Sequence, residues 1–339
     1  MNFNLIAYFL IFGGLSMSSL RWIAGVFFLA LIVPCLEAQE KSTIKWKFEK
    51  EKTFFQKMTT KTVQKMKVMG SDISQEQSQT FFFSWTPFKQ EGENWELKQK
   101  IEGVILNIDI GGTKVQYDST KESASSSPLT DFFKALVGTE FVVTINTKDM
   151  KVTKIAGREE FVKKLVNANP QLQPLLDKIL SEKTMIEMAE PTFGAIPNSE
   201  VIKGDKDKGS WKRTTSLDMG PIGKYDNSYT YTFDGQDEKK MDKISVKSDL
   251  VYTKPSTSNV GGLPFKIESA NIKTGSSTGL ILFDSIKGRI DRSSMSVKLS
   301  GDLTIDIGGQ KTKIELEQTQ ETGVETMDSN PIAVVKPKS

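Results

Sequence analysis

Few residues of this chain could carry covalent chemistry. Among 339 residues there is a single cysteine, Cys35, and no histidine. Ser-His and Cys-His catalysis, imidazole metal ligation and histidine pH switching are therefore closed to it. A serine nucleophile would need lysine as its base. Ser42-Thr43-Ile44-Lys45 has the S-x-x-K spacing, Lys273-Thr274-Gly275 matches K-T-G, and Ser269-Ala270-Asn271 is like an S-x-N element. That chemistry requires the Ser and Lys on one helix face, whereas these four residues belong to an alternating strand. The other two elements stand one residue apart, where a cleft needs them on separate walls. With 40 lysines among 45 basic residues, such matches arise by chance.

Carboxylates remain. A glycosidase needs two, one protonated and one ionised, but most Asp and Glu here alternate with apolar residues, as solvated charge on a strand does. Asp205-Lys206-Asp207-Lys208-Gly209 is like the start of a calcium loop, yet its lysines add the wrong charge and no spaced Glu completes the shell. It reads as a solvated turn. Phe81-Phe82-Phe83 with Trp85 reads as a strand buried on both faces rather than an exposed platform. We assign no catalytic, cofactor-binding or metal-ligating residue and expect no cofactor. A balance of 45 basic against 42 acidic residues, with no basic cluster interleaved with aromatics, argues against a nucleic-acid partner.

Any site must be positioned by the elements around it. Two apolar runs, Asn4 to Leu15 and Trp22 to Leu36, flank Arg21. The second has the length of a secretory h-region, with Arg21 as its positive flank and Ala38 before the cut. Residues 1–38 are expected to be a signal segment whose translation starts at Met17. Cys35 invites lipid attachment, but Pro34 before it fits poorly. Plain cleavage after Ala38 and an uncleaved anchor are the other outcomes, and cleavage leaves no transmembrane span.

Period-two alternation dominates the chain beyond Ala38. Ile44, Trp46 and Phe48 alternate with lysines and Glu49. Phe54, Met58, Met66 and Val68 share a face opposite Lys57, Lys61, Lys65 and Lys67. The same pattern places Trp95, Leu97 and Ile101, then Ile244, Val246, Leu250 and Tyr252, then Ile314 and Leu316. These are antiparallel strands with one wet face. Helical spacing is confined to the middle. A helix is predicted from Ser127-Pro128 to Gly138, a second over Glu159–Val166, and a third carries Leu172, Leu175, Leu176, Ile179 and Leu180, delayed or kinked by Pro174. Loops fall at Ser123 to Ser127, Lys203 to Ser210 and Pro255 to Gly262. Ile108-Asp109-Ile110-Gly111-Gly112-Thr113-Lys114 returns as Ile305-Asp306-Ile307-Gly308-Gly309-Gln310-Lys311. Both read as Gly-Gly hairpins, and either a duplication or a coincidence of turns explains them.

Ile44-Lys45-Trp46-Lys47-Phe48-Glu49, Met58-Thr59-Thr60-Lys61-Thr62, Gln99-Lys100-Ile101-Glu102-Gly103, Gly157-Arg158-Glu159-Glu160-Phe161, Leu217 to Tyr225 and Gly261-Gly262-Leu263-Pro264-Phe265 resemble a family of exported bacterial proteins known only as a domain of unknown function. The resemblance covers roughly Lys41 to Thr326. It implies an extracytoplasmic location, and it carries over no activity and no site residue.

The expected fold class is α+β, with two antiparallel, duplicated or merely similar, β-sheet regions and a central helical segment. The expected order is a signal segment (1–38), an N-terminal β-rich part (39–157), a helical segment (158–200), a C-terminal β-rich part (201–326) and a disordered tail (327–339). The expected protein is a non-enzymatic periplasmic or cell-envelope binder, for an apolar small molecule enclosed by helices and curved sheet. A structural module that contacts an envelope protein, and a carboxylate hydrolase, are the alternatives.

Overall fold

The computed structural model describes residues 40–121, 128–255 and 265–332. The signal segment with Met17, Cys35 and Ala38, the loop Ser123 to Ser127, most of the loop ending at Gly262 and the tail beyond 332 lie outside the described residues.

The first half of the chain builds long meandering strands. β1 (Lys41–Ile44) is short, and β2 (Phe54–Val68), β3 (Ser71–Glu91) and β4 (Asn94–Ile110) run well past ordinary strand length. β5 (Thr113–Asp118) folds back on β4, and β6 (Glu140–Asn146) and β7 (Lys151–Ala156) come after helix α1 (Pro128–Leu136). Three more helices lead out of β7: α2 (Arg158–Ala168), α3 (Gln173–Ile179) and α4 (Glu182–Gly194). The second half returns to strands, with β8 (Ser199–Ile202), β9 (Ser210–Asp218), β10 (Lys224–Gln236), β11 (Asp242–Thr253), β12 (Lys266–Asp284), β13 (Arg289–Ile307) and β14 (Gln310–Met327).

The α+β expectation with two sheet regions is overturned here. Twelve strands form one antiparallel sheet in the order β7-β6-β4-β3-β2-β14-β13-β12-β11-β10-β9, with β5 branching from β4, and β1 and β8 make a separate two-stranded ribbon. The protein is predominantly antiparallel β. The two β-rich stretches merge because β2 pairs with β14 from Phe55–Met327 to Val68–Ile314. Charge specifies that seam. On its outer face Lys57, Lys61, Lys65 and Lys67 stand opposite Glu325, Glu321, Glu317 and Glu315, and opposite charges at facing positions favour one register over its slips.

The sheet does not close on itself. Its edge strands β7 and β9 are not hydrogen-bonded to each other, and α4 packs against both. Thr184 Oγ1 of α4 donates to Asp218 O at 3.2 Å, while Asp218 N donates to Glu187 Oε2 at 3.1 Å. A helix over two open edges hides their unpaired backbone groups. The β1–β8 ribbon packs beside it. Trp46 Nε1 donates to Phe193 O at 3.3 Å, and the Trp46 ring meets Phe283 edge-on at 6.1 Å.

Local signals explain most boundaries. Gly111 and Gly112 take φ of 55° and 92°, and Gly308 and Gly309 take 62° and 93°. Both pairs supply the positive φ of a two-residue hairpin turn. In each, the preceding aspartate also accepts from the second glycine: Asp109 from Gly112 N at 2.9 Å, and Asp306 from Gly309 N at 2.7 Å. Gly138 ends α1 at φ 76°. α3 begins at Gln173, with Pro174 in its first turn, after the 3-10 turn Pro170–Leu172. Apolar spacing does not reveal α4, whose period is interrupted by Pro191 and Gly194. Its N-terminus is capped by Ser181, whose Oγ accepts from Thr184 N at 3.2 Å. Beyond β14, Asp328 pairs with Lys287 at 2.8 Å and with Arg289.

Candidate functional site

The structure disperses the sequence motifs. Ser42 lies on β1, whose strand partner is β8, and its hydroxyl donates to Asp242 Oδ2 at 2.9 Å. Lys273-Thr274-Gly275 and Ser269-Ala270-Asn271 sit within β12, where Thr274 Oγ1 accepts from Leu250 N at 2.9 Å. Asp205 accepts from Asp207 N at 2.9 Å and Lys208 N at 2.8 Å, which holds its carboxyl below the usual range and makes a turn of the calcium-like segment. Among the described residues no group of three or more acidic, Cys or His side chains is placed to hold a metal ion. Phe81, Phe82, Phe83 and Trp85 are all buried.

The buried aspartates serve the fold. Asp242 also accepts from Gln236 Nε2 at 3.0 Å and from Ser285 Oγ, so ribbon, β10 and the β12–β13 turn meet at one carboxylate. Asp284 accepts from Ile286 N and Lys287 N, both at 2.9 Å, within that same turn.

A different feature emerges inside the sheet. The inward face of β2 is not uniformly apolar. Gln56, Thr60, Thr62 and Gln64 share it with Phe54, Met58 and Met66. Register extends this polarity sideways into two rows across β3, β2 and β14: Gln75–Gln64–Gln318 and Gln77–Thr62–Gln320. Sequence reasoning missed these residues because it tracked only apolar and charged positions. The signal was parity, since Gln and Thr at even positions of β2 must face the same way as its Phe and Met.

Next to these rows, reached by Gln318 and Gln320 at their β14 end, lies a cavity of about 320 Å³, within the range of small-molecule sites. Met188 and Pro191 of α4 line one part of it. Tyr229, Tyr231, Val246 and Leu250 of β10 and β11 line it together with Met295 and Leu299 of β13. Its wall on β14 runs from Gln318 to Val324, roughly 20 Å at the rise of a strand. The cavity therefore extends along much of β14. Among the described residues its lining includes no Lys, Arg, Asp or Glu. Burial pushes the phenols of Tyr229 and Tyr231 upward in pKa, so both stay protonated and neutral.

Three lining side chains hold polar atoms with no hydrogen-bond partner in the protein: Trp85 Nε1, both amide atoms of Gln99, and Gln318 Nε2. Their residues are 1%, 0% and 4% exposed. An orphaned buried polar group costs about 1–3 kcal/mol. Trp85 and Gln99 are cross-strand partners beside α4, and Gln318 lies toward the other end of the lining. Nearby, burial raises the pKa of Glu190 on α4 against the pull of Lys151 and Arg213.

Comparison with known proteins gives two unequal results. Among solved structures, lipovitellin, described for its lipid–protein interactions, is 11% identical with a TM-score of 0.39 over 81% of this chain and 25% of its own. This chain thus spans about a quarter of lipovitellin's length. OccK5 (OpdH) of Pseudomonas aeruginosa is 8% identical with a TM-score of 0.20, over 83% of this chain and 99% of its own. At these scores neither supports any argument about fold or function. No curated protein matches the sequence. The family of unknown function DUF6263, in contrast, matches residues 92–290. That match covers more than half of the sequence, and the chain belongs to the DUF6263 family.

Proposed function

We propose that this protein is an exported, non-enzymatic binding protein of the periplasm or cell envelope that takes an apolar small molecule into the cavity lined by β2–β4, α4 and β10–β14. The observation that carries the reading is the cavity itself, lined largely by apolar side chains and, among the described residues, by no charged one. Arg21 followed by Trp22 to Leu36 supports export. The absence of histidine from the whole sequence supports a binding rather than a catalytic role. Among the described residues no helix is long and apolar enough to cross a membrane.

Native mass spectrometry of the protein purified gently from its own envelope tests this reading, against the denatured mass of the same sample. The expected result is a reproducible excess mass that extracts as a small apolar molecule. A bare native mass, or a mass that includes a second protein, overturns the ligand reading and favours an envelope partner module.

A further inference from the structure

Resting on the cavity reading above, we infer that the ligand is a neutral amphipathic lipid whose uncharged hydroxyl or carbonyl head sits between Trp85 and Gln99, with its chain running along the apolar side chains of β11 and β13. The inference starts from polarity. A hydrocarbon alone would leave Trp85 Nε1 and both amide atoms of Gln99 without partners, at residues 1% and 0% exposed. The indole can only donate, whereas the amide offers both a donor and an acceptor. A hydroxyl, which donates and accepts, answers that set; a carbonyl answers the two donors.

Charge sets the second limit. No Lys, Arg, Asp or Glu lines the cavity among the described residues. An ionised phosphate or carboxylate would enter without a counter-charge, and burying an unpaired ion is among the costliest steps in protein energetics. Shape sets the third. Trp85 and Gln99 lie at the part of the lining that includes Met188 and Pro191 of α4, and the wall continues past Val324 and Met295 to Leu299. The β14 side of the lining is polar at Gln318, Gln320 and Thr322, so an apolar chain lies instead against Val246 and Leu250 of β11 and Met295, Val297 and Leu299 of β13.

The test is competition for N-phenyl-1-naphthylamine, a neutral apolar dye whose fluorescence rises in dry pockets, on the purified full chain at pH 8. The competitors are dodecane, 1-dodecanol and dodecanoate, which share chain length and differ in head. We expect 1-dodecanol to displace the dye at least about tenfold better than dodecanoate, because only the latter carries a buried charge. Gln99→Met and Trp85→Phe should each weaken displacement by 1-dodecanol about fivefold, as loss of one hydrogen bond implies, and leave dodecane unchanged. If no competitor displaces bound dye, or the dye does not bind, the cavity reading fails and this inference with it. If dodecanoate equals 1-dodecanol, the head assignment fails while the cavity reading stands. The same holds if both variants treat 1-dodecanol as the wild type does, or lose it and dodecane equally.

Discussion

Trp85 on β3 and Gln99 on β4 face each other directly across the sheet, both buried, yet no hydrogen bond joins the indole N–H to the amide. Aromatic packing explains the missed contact. The Trp85 ring stacks on Phe54 at 6.4 Å and 11°, and meets Phe193 of α4 edge-on at 5.3 Å and 89°. Those neighbours set the ring plane, and with it the direction of the N–H. Gln99→Met keeps the side-chain volume and removes the orphaned amide. It should stabilise the protein by about 1–3 kcal/mol, read by urea unfolding. Equal or lower stability would mean that the amide is satisfied in solution.

Asp242 should respond in the opposite direction. Ser42, Ser285 and Gln236 all donate to this fully buried carboxylate. Asp242→Ala would strand three donors and free the β1–β8 ribbon from the sheet, at a cost of about 3 kcal/mol or more. Hydrogen exchange along Lys41 to Ile44 would show whether the ribbon opens before the sheet does.

The seam between β2 and β14 makes a smaller, electrostatic prediction. Lys57 and Glu325 face each other with 3.9 Å between charged atoms, both well exposed. A double-mutant cycle with Lys57→Ala and Glu325→Ala should give a coupling of about 0.2–1 kcal/mol that shrinks with added salt. The contribution of the seam is to register more than to stability.

Glu190 predicts a pH dependence. Burial raises its pKa above the ordinary value of 4.5. The native state therefore holds this proton longer than the unfolded chain, and stability falls as pH rises from 4.5 through the folded value. Glu190→Gln removes the ionisation, so it should raise the melting temperature at neutral pH and leave it unchanged in acid well below the ordinary carboxylate range. A variant that melts lower at neutral pH would show Lys151 and Arg213 outweighing burial.

Asp328 has the opposite sign. Its hydrogen bonds with Lys287 and Arg289 lower its pKa from 3.8 to about 2. Its contribution is fully present above 3.8 and disappears as pH falls through about 2. Because the carboxylate is exposed, solvent screening keeps that contribution below about 1 kcal/mol. Carbon-13 NMR titration of the Asp328 carboxyl should place its midpoint near 2. Asp328→Asn should flatten the acid limb of the stability curve.

Much of the fold could be read from local pattern. The alternation of Phe54, Met58 and Met66 with lysines fixes a strand and its wet face, because side chains alternate across a strand. The Gly-Gly pairs at 111–112 and 308–309 mark hairpins, since few other residues accept their positive φ. α1 and α2 follow from the spacing of their apolar residues and from their flanking Pro and Gly. The missing histidine closes whole classes of chemistry through composition alone.

What only the tertiary structure decided is which distant strands meet. Two β-rich stretches separated by helices satisfy the same local patterns as one sheet or as two. Their union depends on β2 meeting β14 across more than two hundred residues, and complementary charge is legible there only after the pairing is known. The cavity is decided at the same level. Its lining comes from nine separate elements, and no local pattern distinguishes a filled interior from an open one. Gln99 and Gln318 are ordinary polar residues in sequence. Burial without a partner is what makes them candidates for recognition, and burial is a property of the packed sheet.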